Sequence, residues 1–192
     1  MPKEIISVLA KLHDIFMKKL LLIIILSFNF LGISYAEQVF ANIIKLKESG
    51  NCIECNLNGA DLSEMYLSGA NLSGADLSGA NLKNSNLFFS NLSGANLSKT
   101  DLSYAGLFQA NLSGANLTES NLTKSDLVGA NLTDTNFTRA NLGSAYLNFS
   151  NLNGANLYGA NLIGAILEGF DYKGAIICKT KFSPGGTSND GC

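Results

Sequence analysis

The apolar positions of the chain recur with a period of five. Leu57, Leu62, Leu67, Leu72 and Leu77 open a series that runs without a slip to Leu167, 23 positions that are all Leu except Phe137. Two residues before each sits a small side chain, usually Ala (Ala60, Ala70, Ala75) and elsewhere Ser or Thr (Ser85, Thr100). The residue directly before is Asn or Asp in 19 of the 23 units. A weaker echo continues through Tyr172, Ile177 and Phe182.

Neither regular element can use this pattern. On a helix at ~100° per residue the leucines would smear round the whole surface. On a strand, an odd period would send alternate leucines to opposite faces. Asn, Ser and Gly are also poor helix formers. The pattern works if the chain bends every five residues, always toward the Leu. Gly fills the second position after the Leu in many units (Gly59, Gly69, Gly74), where a turn favours a residue free of Cβ clash. The chain then winds into a coil with Leu and the small residue inside and the other three positions facing solvent. Stacked coils pair their backbone groups.

The unit Ala70-Asn71-Leu72-Ser73-Gly74, whose first three residues recur at Ala95-Asn96-Leu97 and Ala115-Asn116-Leu117, resembles the A-(D/N)-L-x-x motif of pentapeptide repeat proteins. The strict match runs from Cys55 to Leu167. The resemblance implies an all-β solenoid, a right-handed quadrilateral β-helix with four pentapeptides per coil. The 23 units then make about six coils, a rod roughly 28 Å long at a strand spacing of ~4.8 Å.

Residues twenty apart stack on one side of such a coil. The four positions that lack Asn or Asp before the Leu are Tyr66, Gly106, Tyr146 and Ile166, and all fall on the same side. That side also carries Phe88, Phe89, Phe108, Val128 and Phe149 at outward positions, and Met65 replaces its small inward residue. Phe88 and Phe108 are expected to stack in adjacent coils. In the strict repeat, Tyr104 and Tyr158 are the outward aromatics on other sides. An apolar stripe on a soluble rod marks an interface. It can serve an unknown protein partner or a homodimer. A terminal segment folded over it, or a stiffening role for the rings, are the alternatives.

Composition follows from this architecture. Leu occurs 30 times and Asn 23 times, charged residues are 15%, and the formal net charge is -2. A basic nucleic-acid binder is excluded by the charge, and simple disorder by the 46% apolar content.

Residues 1–36 do not share the repeat bias. Met17-Lys18-Lys19, the apolar run from Leu20 to Ile33, and Ser34-Tyr35-Ala36 before Glu37 form the three-part pattern of a signal peptide cleaved after Ala36. The apolar run is shorter than the ~20 residues a membrane span needs. An uncleaved anchor is the alternative; cleavage leaves no stable membrane span. Met17 is the expected start, with an extended n-region from Met1 as the alternative. The expected location is exported, periplasmic or extracellular in a bacterium. The expected division is a leader over 1–36, an N-terminal cap over 37–51, the β-helix over 52–182, and a tail over 183–192. Within the cap, the spacing of Val39, Phe40, Ile43, Ile44 and Leu46 predicts a short helix ending near Gly50, covering the open first coil.

Export permits disulfides, and four cysteines allow three pairings. On the coil the resemblance implies, Cys52 and Cys178 lie about six coils apart, roughly 30 Å, beyond the ~7 Å that a disulfide tolerates. Cys52–Cys55 and Cys178–Cys192 are therefore preferred, and the resemblance favours the same pairs. The alternative for Cys52-Ile53-Glu54-Cys55 is a redox motif. Zinc lacks a ligand set, since the one His, His13, lies in the leader.

No nucleophile–base pair and no phosphate loop stands out, so neither catalysis nor a cofactor is expected. The family resemblance also brings DNA mimicry directed at topoisomerases. The outward acids here are few (Glu64, Glu119, Asp134, Glu168) and interspersed with Lys83, Lys99, Lys124 and Arg139, and no nucleic-acid partner is expected. The expected function is a non-catalytic scaffold or protein-interaction module that uses Tyr66, Phe88, Phe89, Phe108, Val128, Tyr146 and Phe149.

Overall fold

The computed structural model describes Lys19, residues 34–183, residues 186–188 and Cys192. The apolar run expected to be the leader's core lies outside the described residues. The chain forms two compact units, Met1–Ala41 and Asn42–Cys192, and the division falls within helix α1, Tyr35–Ser49.

Helix α1 starts on a capping box. The Ser34 N–H donates to Glu37 Oε2 at 3.0 Å, and the Glu37 N–H donates back to Ser34 Oγ at 3.4 Å. It stops where Gly50 turns to φ +64° and its N–H reaches Leu46 O at 2.9 Å. Among the described residues no helix is long and apolar enough to cross a membrane.

The second unit is a coil. Isolated parallel bridges join Asn51 to Asn71, Asn56 to Asp76, Asp61 to Asn81 and Tyr66 to Asn86, and continue to Asn161–Lys181, always twenty residues apart. Four bridges in twenty residues make four sides. The coils at 51–70, 71–90, 91–110, 111–130, 131–150 and 151–170 are complete, and a seventh is under way up to Lys181. Each side contributes one bridged residue per coil. The only longer strands among the described residues are β1 (Lys181–Ser183) and β2 (Gly186–Thr187), a small antiparallel pair in the tail.

Backbone groups are satisfied between coils. The Leu57 N–H donates to Asp76 O at 2.7 Å, the Asp76 N–H to Cys55 O at 2.9 Å, and the Gly59 N–H to Ser78 O at 2.9 Å. Within each corner a turn closes, as where the Ala60 N–H meets Leu57 O at 3.0 Å. The leucines of the complete coils are buried almost without exception, with Phe137 fully enclosed among them. Most inward hydroxyls are paired too: Ser85 Oγ donates to Leu82 O, and Thr100 Oγ1 to Leu77 O in the preceding coil, while the buried Ser90 Oγ has no partner.

The corner demands a left-handed residue. Every position of the series 54, 59, 64 and onward to 179 has φ between 52° and 74°, as the third residue of a type II turn requires. Gly is the cheap occupant; Phe89, Tyr104 and Phe149 also sit there.

The Asn or Asp before the Leu does more than face solvent, the role its outward position predicts. Asn96 Oδ1 accepts the Ser98 N–H at 3.3 Å, pinning the corner as an Asx turn. Asn96 Nδ2 donates to Asp76 Oδ1 at 3.0 Å in the coil before, and Asn116 Nδ2 donates to Asn96 Oδ1 at 3.3 Å from the coil after. The result is a side-chain ladder running along the coil axis.

Candidate interaction face

Three sides of the coil carry these amide ladders. One runs Asn71–Asn91–Asn111–Asn131, another Asp76–Asn96–Asn116, and the third includes Asp61–Asn81 and Asp101–Asn121. The fourth side is built from 66–69, 86–89, 106–109, 126–129, 146–149 and 166–169. It has Tyr66, Gly106, Tyr146 and Ile166 where the ladder residue would stand. Asn86 and Asp126 still hold their corners through the Phe88 and Val128 N–H groups, at 3.0 and 3.1 Å.

The structure brings all seven sequence-predicted face residues to this side. Tyr66 is 85% exposed, Phe149 66%, Phe89 56% and Tyr146 47%. Phe88, Phe108 and Val128 are half-buried. Phe88 and Phe108 meet in adjacent coils edge to face, with centroids 6.0 Å apart and planes at 72°, not as a parallel stack. Phe89 presents its ring to Phe108 in the same way, at 5.5 Å and 88°. Phe149 reaches over the next coil: a Cβ on Gly169 would fall 2.7 Å from its Cδ1. The side carries Asp126 and Glu168 and no Lys or Arg from Tyr66 to Gly169.

Tyr104 and Tyr158, outward on other sides, are engaged by cations. The Lys124 ammonium lies 5.4 Å from the Tyr104 ring centroid, and that of Lys179 lies 5.2 Å from the Tyr158 centroid. Lys179 Nζ also donates to the Tyr158 hydroxyl at 2.8 Å, and this bond with its charge pulls the phenol below its ordinary pKa.

Both ends of the coil are marked by disulfides. Cys52–Cys55 closes the first corner with Cα atoms 5.2 Å apart, and Cys178–Cys192 ties the tail at 5.0 Å. Cys52 is fully buried and Cys55 nearly so. The C-terminal half of α1 meets this corner: Asn42 Nδ2 donates to Asn56 O at 2.8 Å, Leu46 is buried, and Lys45 Nζ lies 3.9 Å from Cys55 Sγ.

The far end of the coil carries a feature that the repeat pattern does not announce. There Leu157, Leu167, Phe170, Tyr172, Ile177 and Phe182 line an apolar cavity of about 290 Å³. The Phe170 and Tyr172 rings stack at 4.8 Å. The available signal was the replacement of inward Ala and Leu by rings at 170, 172 and 182. Among the described residues no cluster of His, Cys, Asp or Glu is grouped to hold a metal.

Comparison with known proteins bears on the repeat region. The family model for pentapeptide repeats matches in eight copies, over 51–87, 80–118, 105–139 and 135–171. A trypsin-treated variant of QnrB1, a plasmid-mediated fluoroquinolone resistance protein, is similar at 24% identity and a TM-score of 0.57. That match covers 62% of this chain and 63% of the QnrB1 chain, so it spans less than two thirds of that protein. The pentapeptide repeat protein Rfr23 of the cyanobacterium Cyanothece is 31% identical over 74% of this chain and 98% of its own, with a TM-score of 0.49. HetL, a pentapeptide repeat protein involved in heterocyst differentiation regulation in the cyanobacterium Nostoc, is 32% identical over 72% of this chain and 74% of its own, with a TM-score of 0.38. No curated protein matches the sequence. With the five-residue period, the twenty-residue bridges and the family match in agreement, the chain belongs to the pentapeptide repeat proteins.

Proposed function

We propose that the protein is a non-catalytic scaffold of the bacterial envelope or exterior that binds another protein surface through its fourth side. The observation that carries this reading is the run of exposed rings on one side, Tyr66, Phe89, Tyr146 and Phe149, on a side that holds no Lys or Arg. Left-handed corners elsewhere are filled by Lys99, Tyr104 and Lys124 as well, so the backbone does not set this side apart. The contiguous apolar rings do, and a patch of that kind marks an interaction surface.

In the same reading, the leader over 1–36 directs export and the C-terminal half of α1 covers the first coil. The disulfides then act as staples at the two ends. A dithiol-exchange role for Cys52 and Cys55 has little support, because an attacking thiol would have to reach sulfurs that are buried. A topoisomerase-directed role has little support either. The outward acids are scattered, and Glu119 is paired with Arg139 at 3.7 Å.

Photo-crosslinking in the native cell tests the proposal. Probes at Phe89 and Phe149 are expected to give discrete adducts that a probe at Lys99, on a ladder side, does not. Equal yields from all three positions, or none from any, would refute a dedicated binding face.

A further inference from the structure

We propose that the occupant of the fourth side is a second copy of the chain, docked antiparallel so that the first coil meets the sixth, the second the fifth and the third the fourth. This deepens the interaction reading above and rests on it. Paired surfaces related by a two-fold axis must be self-complementary. An axis in the interface plane, perpendicular to the coil axis, reverses coil order and keeps each column of side chains over the same column.

The fourth side meets that requirement coil by coil and in three of its column pairs, while Phe88 and Tyr146 come opposite Asn148 and Asn86. Counted coil by coil, its apolar side chains are Tyr66; Phe88 and Phe89; Phe108; Val128; Tyr146 and Phe149; Ile166. The pattern of one, two, one, one, two, one is a palindrome about the gap between the third and fourth coils. Column by column, Tyr66 comes to face Ile166 of the second copy, Phe89 faces Phe149, and Phe108 faces Val128. The half-empty places also match, since Gly106 comes opposite Asp126.

Charge separates this arrangement from the parallel one. The side holds two carboxylates and no cation. In a parallel pair, Asp126 would share a level with its own copy, and so would Glu168; like charges set against each other destabilise. In the antiparallel pair Asp126 meets Gly106 and Glu168 meets Ser68. The patch is about 28 Å long and one side wide, smaller than the interfaces of stable complexes, so the dimer is weak and concentration-dependent.

Sedimentation velocity over a wide concentration range, with the variant Phe89→Gly/Phe149→Gly, tests the proposal. Gly is the common residue at that corner, so the rings are removed without harm to the coil. The wild type is expected to dimerise. The variant is expected to associate at least about ten-fold more weakly, with its circular-dichroism melt little changed. Nitroxide labels attached by non-thiol chemistry at position 64 or 124, on the neighbouring side, read the orientation. The axial offset between equivalent labels is ~24 Å at 64 and ~5 Å at 124 in the antiparallel pair, and zero at both in a parallel one. Equal distances at the two sites overturn the proposal, as does a dimer that ignores the double Gly variant. A wild type that stays monomeric throughout also overturns it. The interaction reading then still stands or falls on crosslinking from Phe89 and Phe149.

Discussion

The Phe88 ring lies across the Cα of Gly106 in the following coil. A Cβ built on Gly106 would stand 3.0 Å from Phe88 Cδ1 and 3.1 Å from Cζ, and nearer still to Cε1. Gly106 is not at positive φ, so the backbone does not demand Gly there. The space does. Gly106 is where an Asn or Asp of the ladder would stand, so the coil exchanges an amide rung for a seat under an aromatic ring.

Gly106→Asn is therefore expected to destabilise the wild type by about 1–3 kcal/mol through overpacking. In a Phe88→Ala background the same change is expected to be neutral or stabilising, because the new amide can join the line of Asn86 and Asp126. A double-mutant cycle in urea gives the coupling. Additive effects would show that the ring does not rest on Gly106.

The corner series supports a second prediction. Phe89→Gly and Phe149→Gly are each expected to change stability by no more than about 1 kcal/mol, because relief of the left-handed corner offsets the lost contact with Phe108 in one and the lost cover over Gly169 in the other. Leu107→Ala, at an inward position with no exposure, is expected to cost about 2–5 kcal/mol. Melting of the three single variants checks the ranking.

Leu107 and Phe89 also show what the sequence made legible. A five-residue period in Leu placed every buried leucine of the coil, because a coil has one inward direction per corner and the sequence repeats it. The aromatic side was visible for the same reason: residues twenty apart share a side once the coil is four-sided. The Asn ladder was not. Its bonds join Asn96 to Asp76 and Asn116 across coils, and an outward Asn looks alike in sequence whether it meets water or a neighbour. The open cavity near Phe170 and Tyr172 was also missed. There the repeat survives in the backbone bridges, as at Asn151–Asp171, after the side-chain pattern has faded.

Asn96→Ala is expected to cost about 1–2 kcal/mol, since it removes the Asx bond to the Ser98 N–H and two rungs. Asn96→Asp keeps the Asx bond but sets a carboxylate against Asp76. It is expected to be as harmful at neutral pH and to recover once both carboxyls are protonated. Denaturant midpoints of the two variants at neutral and acid pH separate the corner bond from the ladder.

Acid sensitivity has a local reporter at Asp61. The Ser63 hydroxyl, then the Ser63 N–H, hold its carboxyl below the ordinary value of 3.8, with the Asn81 amide adding to them. A carboxyl whose pKa is lower folded than unfolded contributes stability at pH above its unfolded value. That contribution is lost as pH falls through the folded value. Asp61→Asn is therefore expected to flatten the acid limb of the stability profile below pH about 4 and to leave its slope near neutrality unchanged. A carboxyl titration by NMR that places Asp61 at or above the ordinary value would contradict the assignment.

The two disulfides are expected to respond to reductant in a fixed order. Cys192 is exposed at the tail, whereas Cys52 and Cys55 are buried within the first corner, where α1 also meets the coil through Leu46 and Asn42. Exchange requires a thiolate to reach one sulfur in line, so access governs the rate when the fold is intact. Mild thiol treatment of the folded protein should open Cys178–Cys192 first. Cys52–Cys55 should follow only under conditions that loosen the first coil. Alkylation followed by peptide mass mapping reads the order. If Cys52–Cys55 were reduced first in the intact fold, the sulfurs would have to be more accessible than their burial allows, and the redox reading of Cys52-Ile53-Glu54-Cys55 would regain its footing.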